Sequence, residues 1–309
     1  MTGPLPADGG AADWLSALAA DLAAPRQKVD LLLLAELWTI DHLRFVCDWP
    51  QGMEDYPELA LRVRGAFGRR LAEQHEGPRR RSGARLPRAY DVLFSSVATR
   101  SAGLELPKPV GLRVSRERDC LIVDLRLFGA AGLWLEEAAD AMARALEGGI
   151  ALHAQARLRA SARVRDVGIR RTENVVTGDA TTATMTFLTP AVVRGGGRLS
   201  DDPRSLLRAA PRIVASLARW QGLELVADWA AVSAGIASLR VDDTQLRRYE
   251  FQRFSRRSGD TAIPVRGYLG ALRASGALGD TATFLRLAET LGVGSHVSLG
   301  LGAFDLACA

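Results

Sequence analysis

An order of strand and helix patterns that occurs twice constrains the fold of this chain more than any other feature of its sequence. In each half a strand-like run precedes a helical run, further strand-like runs follow, and a second helical run leads to a final strand. The strand-like runs lie at 31–49, 90–98, 120–129 and 150–169, and then at 182–193, 231–241, 246–254, 263–274 and 296–307. The helical runs begin after Pro57 and at 133–149 in the first half, and lie at 201–222 and 280–292 in the second.

Strand–helix–strand–strand–helix–strand is the order of the ferredoxin-like fold. The sequence therefore predicts an α+β protein of two tandem ferredoxin-like (RRM-like) domains with antiparallel sheets. We expect an N-terminal extension at 1–30, an N-terminal domain at 31–172 and a C-terminal domain with a glycine-rich tail at 180–309. Within the C-terminal domain, we expect Pro211 to bend or break one helix and Asp280 to cap the other.

Charge and cysteine content narrow the classes of function. The formal net charge is +5, and only Lys28 and Lys108 among the 40 cations are lysines. Arginine forks to phosphate and stacks on bases, so a polyanion is the leading partner class. Cys47, Cys120 and Cys308 are widely spaced, no grouping has metal-ligand spacing, and the first thirty residues lack a signal-peptide pattern. We therefore expect a cytoplasmic protein without a membrane partner, a metal or a cofactor.

The tail sequence GLGAF contains Gly300 and Gly302, which invites comparison with a phosphate-binding loop. Such a loop needs a following helix whose N-terminus faces the phosphate. Only seven residues follow Gly302, and Asp305 stands where a third glycine would be. A nucleotide-cofactor site is therefore excluded, and the tail is expected to be a final strand or loop.

Two arginine-rich stretches are candidates for binding a polyanion. In the first, at 156–165, alternation places Arg157, Arg159, Arg163 and Arg165 on one side of a single strand with no acid between them. Repulsion among four such charges favours an anionic ligand, although a solvated sheet face is the alternative.

The second stretch, at 246–260, mixes five arginines with Tyr249, Phe251 and Phe254, and this combination suits phosphate binding and base stacking. We assign Arg253, Arg256 and Arg257 to RNA contact, and interpret Phe251 and Phe254 as core residues. Of the four histidines, His75 has the best functional context because the basic loop EGPRRR follows it. His42, His153 and His296 have no such basic loop beside them, and a lone histidine is usually structural.

These features in this order resemble the CRISPR precursor-RNA-processing endoribonucleases, the sixth Cas family of the RAMP superfamily. The resemblance covers about 45 to 306 and rests on LRVRGAFGRRL (61–71), YDVLFSS (90–96), LIVDLRLFGAA (121–131), MTFLTPAVVRGGGRL (185–199), YEFQRFSRRSGDTAIPVRGYLGAL (249–272) and FLRLAETLGVGSHVSLGLGAFDL (284–306). The sequence departs from the family pattern at Ser298, Asp305 and Ala307.

The resemblance implies metal-independent cleavage of a CRISPR repeat RNA. In that reaction the 2′-hydroxyl attacks the adjacent phosphate, leaving a 2′,3′-cyclic phosphate and a 5′-hydroxyl. By position, it implies His75 as the catalytic histidine, a catalytic cation at Arg80 flanked by RNA-binding Arg79 and Arg81, and a phosphate contact at Tyr56. It also implies an RNA-facing tail at His296, Gly300 and Gly302.

The same resemblance leaves a second function open, that of a non-cleaving RAMP subunit that holds guide RNA in a CRISPR surveillance complex. Both functions imply the precursor or guide RNA as a partner, together with other Cas subunits of an effector complex. A generic basic RNA-binding protein would have to match the ordered stretches by accident.

Overall fold

The computed structural model describes residues 11–50, 53–76, 87–95, 106–151, 159–172, 180–195, 198–255 and 261–309. In its first half the elements are α1 (Ala11–Ala23), β1 (Gln27–Val29), α2 (Leu31–Leu37), β2 (Ile40–Asp48), α3 (Leu59–Glu76), β3 (Val110–Glu117), β4 (Cys120–Phe128), α4 (Leu135–Glu147), β5 (Ile150–Ala151), β6 (Arg159–Ala160) and β7 (Val164–Thr172). In its second half they are β8 (Thr182–Ala191), β9 (Arg194–Gly195), β10 (Arg198–Leu199), α5 (Arg204–Trp220), β11 (Leu223–Leu225), α6 (Trp229–Ser238), β12 (Arg240–Asp242), β13 (Leu246–Ser255), β14 (Thr261–Ser275), α7 (Asp280–Ala288) and β15 (Phe304–Cys308).

The first sheet has the strand order β3-β4-β2-β7, and every neighbouring pair is antiparallel. With α3 and α4 as the two crossover helices, this is the ferredoxin-like arrangement. Alternation along β2 turns Leu43, Phe45 and Cys47 into the core and leaves His42 and Arg44 on the other face. The alternation of apolar residues along β2 therefore determines which face of this sheet is buried.

The second sheet repeats the arrangement, with β13, β14, β8 and β15 as successive neighbours and β12 on the distal part of β14. Met185 of β8 and Leu272 of β14 face each other in register and pack in the main core with Phe284 of α7. The fold class predicted from the sequence, two tandem ferredoxin-like units with antiparallel sheets, is confirmed.

Residues 11–37 pack on the second half of the chain. The parallel pairing of β1 with β11 joins Val29 to Leu225 in register, and Arg219 of α5 donates hydrogen bonds to the last carbonyls of α1 at Leu22 and Ala23. The helix α2 contacts α7. The N-terminal elements therefore add an outer layer to the helical side of the second sheet.

The sequence prediction of one extended run over 31–49 is wrong for its first part. Residues 31–37 form α2, whose first turn is capped by the Asp30 side chain accepting from the backbone N–H of Leu33 at 2.8 Å. Leu31, Leu34 and Ala35 are buried at helical spacing. A run of four leucines is compatible with a strand or with a helix. The Asp30 cap and the burial of one helical face stabilise the helix.

Four further predictions differ from the structure at single elements. The segment Tyr90–Phe94 is a π-helical turn rather than a strand, and residues 229–238 form α6 because Asp228 accepts from the backbone N–H groups of Ala230 and Ala231. The helix α5 is not broken at Pro211, which lies inside it, and eight of its residues are buried against the core. The residue that precedes α7 is Gly279, and Asp280 is the first residue of that helix.

The predicted strand at 150–169 is also wrong, because the described residues divide into separate pairings. The short strands β5 and β6 pair with each other, whereas β7 begins at Val164 and pairs with β2. Among the described residues, no helix is both long and apolar enough to cross a membrane.

The two halves meet where the tail packs on α3 and β3. Arg126 of β4 donates to the carbonyls of Glu289 and Thr290 at 3.2 and 2.8 Å, and Arg113 of β3 forms an ion pair with Asp305 at 2.6 Å. Gly300 has φ +82, and a Cβ there would stand 2.7 Å from the Cβ of Ala60 and 3.1 Å from the carbonyl oxygen of Leu112. Close packing between the halves therefore requires glycine at position 300.

We expect Gly300→Ala to lower the free energy of unfolding more than Gly222→Ala does. Gly222 has a similar φ of +76, but a Cβ there would meet nothing within 4 Å. The backbone strain costs about 1–2 kcal/mol in both variants, and crowding adds roughly 1–3 kcal/mol in Gly300→Ala alone. Urea unfolding of the two variants measures the difference, and equal losses would contradict close packing of the tail on α3.

Candidate nucleic-acid interface

Arg64 of α3 occupies the centre of the contact between the two halves. Its Nε donates to the backbone carbonyl of Ser298, and its guanidinium carbon lies 4.0 Å from the centroid of the Phe94 ring. Burial, followed by the charge of Arg253, lowers the pKa of Arg64 to about 10. Arg64 thus keeps a positive charge at neutral pH in a half-buried place where it interacts with a carbonyl and a ring.

The Phe94 ring is positioned by the π-helical turn that contains it. Tyr90 stacks on Phe94 with centroids 5.8 Å apart, and Phe67 packs edge-on at 5.9 Å. A Cβ at Gly68 would overlap the Phe94 ring, so glycine on α3 allows this approach. The ammonium of Lys108 lies 5.7 Å from the same ring centroid. A second cation therefore approaches the aromatic group on which Arg64 stacks.

The strand β13 faces this centre with Tyr249, Phe251 and Arg253, which alternation places on one side. The Tyr249 hydroxyl donates to Glu58 Oε2 at 2.9 Å, and burial, followed by this hydrogen bond, raises the pKa of Tyr249 to about 12. Phe251 is buried in a small cluster with Val265 and Leu301, as expected of a core residue. Arg253 is half-buried on the same side, and its charge acts on Arg64.

We call Arg64, Phe94, Lys108, Tyr249 and Arg253 the junction cluster. It combines three cations with two aromatic rings at the contact between the two halves. The guanidinium groups of Arg64 and Arg253 repel each other, and an anion placed between them would attract both. Arginine with aromatic rings is also the chemistry that binds single-stranded nucleic acid. The geometry therefore suits a phosphodiester chain.

The tail residues proposed from the sequence lie beside this cluster. His296 has φ +68 and its carbonyl accepts from the backbone N–H of Leu299, which closes a single turn of 3₁₀ helix at Val297–Leu299 next to Arg64. Gly302 has φ +72, and a Cβ there would overlap the carbonyl oxygen of Val293. Packing within the protein accounts for the glycines at 300 and 302, while RNA contact at these positions stays a prediction.

The structure separates the two residues proposed along α3. Tyr56 precedes the helix and lies under the guanidinium of Arg62, whose carbon is 4.5 Å from the ring centroid. His75 is in the last turn of the same helix. Sixteen residues at 1.5 Å each place the His75 backbone about 24 Å from the helix start. Tyr56 and His75 therefore do not meet at one phosphate.

Arg88, which the sequence reasoning did not single out, contacts the backbone of the residue that precedes His75. Its Nη1 donates to the backbone carbonyl of Gln74 at 2.9 Å. The segment that holds Arg88 is anchored on both sides, because Trp134 donates to the Pro87 carbonyl and the Ala89 N–H donates to Glu137. Since the contact joins residues that are 14 positions apart in the sequence, no local pattern reveals it. The predicted Arg79, Arg80 and Arg81 lie outside the described residues.

The arginines proposed on one strand at 156–165 do not share a strand. Arg159 belongs to β6, Arg163 precedes β7 and is exposed, and Arg165 is in β7. Arg165 forms an ion pair with Asp48 of β2, so its charge has a nearby acid that the local sequence does not show. Arg157, Arg256 and Arg257 lie outside the described residues, and RNA contact by these arginines stays a prediction.

A buried ion-pair cluster lies on the face of the first sheet that is turned away from α3 and α4. Asp124 is 2% exposed, and it accepts from Arg44 Nε at 2.7 Å and contacts His42 Nε2 at 2.8 Å. Although burial opposes ionisation, these hydrogen bonds hold the pKa of Asp124 well below its usual range. His42 is thus a partner of a structural carboxylate. In the part of the chain that the structure describes, no group of three His, Cys, Asp or Glu residues could hold a metal ion.

Comparison with known proteins supports the family resemblance in the second half of the chain. Residues 185–304 match the family model described as CRISPR-associated endoribonuclease Cas6. The matched region runs from β8 into β15 and includes Tyr249, Arg253 and the tail at 296–302. No curated protein matches this chain. The resemblance stated from the sequence is therefore confirmed over these residues.

Solved structures similar to this chain have low sequence identity. A Cas6 product complex and Thermus thermophilus Cas6 are each 17% identical with TM-scores of 0.49; they cover 88% and 87% of this chain, and 99% of each of those chains is covered. A RAMP protein binding different RNA substrates is 13% identical with a TM-score of 0.45, covering 87% of this chain and 99% of its own.

We expect Arg253→Gln to weaken binding of single-stranded RNA of any sequence and to flatten the slope of log affinity against log salt by about 0.7. The physical reason is the loss of one phosphate contact and of the counterion that this contact releases. Filter binding over a range of salt concentrations measures both quantities.

The matched control is Arg266→Gln in the same hairpin. Arg266 forms an ion pair with Glu250 at 2.9 Å, on the opposite face of the strands from Arg253. The control should leave the salt slope unchanged. Equal effects of the two variants would remove Arg253 from the RNA path.

Proposed function

We propose that this chain is a Cas6-type endoribonuclease that cleaves CRISPR repeat RNA to mature guide RNA. The observation that carries the proposal is the family match over residues 185–304, because it includes the strand and the tail that form one side of the junction cluster. The arginines and rings of that cluster supply the chemistry that an RNA substrate requires.

In this proposal the junction cluster binds the RNA backbone between the two halves of the chain. Arg64 and Arg253 contact phosphate, and Phe94 and Tyr249 offer rings on which bases stack. Because Arg64 is already oriented by the Ser298 carbonyl and the Phe94 ring, little side-chain freedom is lost on binding. The tail would follow the RNA through His296, Gly300 and Gly302.

The proposed reaction needs no metal ion. The 2′-oxygen of the nucleotide before the cut loses its proton and forms a bond to the adjacent phosphorus. The bond from phosphorus to the 5′-oxygen breaks, and that oxygen gains a proton, so the products are a 2′,3′-cyclic phosphate and a 5′-hydroxyl. A base, an acid and a cation near the phosphate are therefore required.

His75 is proposed as the acid–base group, with cations supplied by Arg80 and its neighbours Arg79 and Arg81. Arg88 joins this set, since its guanidinium is hydrogen-bonded to the carbonyl of Gln74, the residue before His75. Arg64 and His75 are eleven residues apart along α3, which corresponds to about 16 Å. RNA bound at the junction cluster would therefore extend along α3 toward the cut, and Tyr56 would contact a phosphate distant from it.

One observation favours the second function, a non-cleaving RAMP subunit that binds guide RNA. Tyr56 precedes α3 and His75 lies in its last turn, so these two residues do not form a compact catalytic group. Both functions share the precursor or guide RNA and other Cas subunits as partners, and the following two experiments distinguish them.

We expect a cognate repeat RNA to be cut at a single position, with undiminished rate in EDTA. A 2′-deoxy substitution at the nucleotide before the cut should abolish cleavage and leave affinity unchanged, because the attacking oxygen is then missing. Gel analysis of end-labelled RNA measures the products. Strict dependence on magnesium or manganese would rule out this mechanism, and binding without any cleavage would favour the non-cleaving subunit.

We expect His75→Ala to slow cleavage by roughly 10²–10⁴ with little loss of affinity, the usual contribution of an acid–base group. His296→Ala is the comparison in the tail beside the junction cluster, and we expect it to act on affinity. Single-turnover kinetics with saturating protein separates the two effects. A large loss of cleavage rate in His296→Ala alone would move the catalytic site to the tail.

A further inference from the structure

Two short helices outside the ferredoxin-like framework expose an apolar surface. The strands β1 and β11 run parallel, with Val29 and Leu225 in register, so the helices that follow them leave the same edge. Asp30 caps α2 and Asp228 caps α6 at neighbouring places on this edge. Both helices pack on α7 from outside, and the Trp229 ring lies 6.3 Å from that of Phe284.

Exposed apolar side chains are concentrated at this edge. Of the eight large hydrophobic side chains that are exposed among the described residues, five belong to it: Leu32, Leu33, Leu37, Val226 and Trp229. We call these five the outer patch. Leu32 is 65% exposed and Trp229 is 45% exposed. The helix α6, which begins at Trp229, contains no charged residue, and Ile236 is its one fully buried side chain.

The charge around the outer patch is opposite to that of the whole chain. Residues 27–38 and 223–239 contain no arginine, and their one cation is Lys28. Against it stand four carboxylates, Asp30, Glu36, Glu224 and Asp228, so these two segments carry a formal charge of −3 in a chain of +5. A phosphodiester chain requires cations at its contact surface. Arg26 and Arg240 flank these segments, so the surplus of carboxylates is local; we call these four carboxylates the acidic rim, and they make RNA a poor ligand for the outer patch.

The position of the outer patch leaves the junction cluster free. The helix α7 packs on the face of the second sheet that contains Met185 and Leu272, whereas Phe251 and Val265 belong to a separate cluster with Leu301 on the other face. A molecule on the outer patch and an RNA on the junction cluster would thus lie on opposite sides of this sheet.

We propose that the outer patch is the docking site for another protein, whose own contact surface is apolar at its centre and basic at its rim. An apolar surface surrounded by acidic side chains is complementary to a partner surface that is apolar at its centre and surrounded by basic side chains. A second copy of this chain is a poor occupant, because a two-fold interface would place the four carboxylates of each copy against those of the other. The partner binds while RNA is bound.

The test uses two synthetic amphipathic helical peptides with the same leucine face, one rimmed by lysines and one by glutamates. Fluorescence anisotropy of the labelled peptides measures their affinity for the full chain. We expect the lysine-rimmed peptide to bind about tenfold or more tightly than the glutamate-rimmed peptide. Prebinding one equivalent of single-stranded RNA should leave this binding unchanged once the affinity of the peptide for RNA alone, measured separately, is taken into account.

Leu32→Asp should weaken the lysine-rimmed peptide about tenfold, because it places a charge at the apolar centre. The matched control is Leu133→Asp, which changes a leucine of 51% exposure that lies outside the outer patch. The double variant Asp30→Asn and Asp228→Asn keeps both helix caps and removes two carboxylates, so it should reduce the preference between the two peptides. Circular dichroism checks that each variant is folded.

Three results would overturn the proposal. Equal affinity for the two peptides, or no binding of either, would remove the basic-rimmed protein as the occupant. Displacement of the peptide by RNA would make the outer patch part of the RNA surface. Light scattering that shows a dimer of this chain, lost in Leu32→Asp and kept in Leu133→Asp, would make a second copy the occupant.

Discussion

The contact of Arg64 with the Ser298 carbonyl is the interaction on which the arrangement of this protein depends. It joins the first long helix to the tail across 234 residues of sequence, at the place where Gly300 packs on Ala60. A half-buried guanidinium without a hydrogen-bonding carboxylate among the described residues is costly unless its surroundings compensate. Here the Phe94 ring and a carbonyl compensate in part, and the remaining positive potential makes the junction between the halves attractive to an anion.

The same contact explains how two similar folding units become one binding surface. Each sheet buries one face under its own helices, which leaves the other face to form contacts between the halves. In the second sheet that face presents Tyr249, Phe251 and Arg253, and only Phe251 is fully used in packing. The two other side chains remain partly accessible, so the interface that holds the halves together also provides the groups that we propose for RNA binding.

The sequence predicts most of the framework and little of the junction. Runs rich in strand-forming residues identified β4, β8 and β14, and partial alternation identified β2. It failed at 31–37, where four consecutive leucines conceal the helical spacing of Leu31, Leu34 and Ala35. The Arg64 contact could not be predicted, since an arginine on an amphipathic helix has the same local pattern whether it faces solvent or a distant carbonyl. Arg165 shows the reverse case: its strand suggested an uncompensated charge, and its partner Asp48 comes from another strand.

The most direct test of this account is to map where an uncleavable repeat RNA lies on the protein. A 2′-deoxy repeat RNA that contains photoreactive 4-thiouridine would be crosslinked to the full chain, and the crosslinked peptides identified by mass spectrometry. The account predicts crosslinks in the strand around Tyr249–Arg253, in the tail at 296–302 and along the helix from Arg64 toward His75. Crosslinks concentrated on α2 and α6, with none at the junction between the two halves, would contradict it.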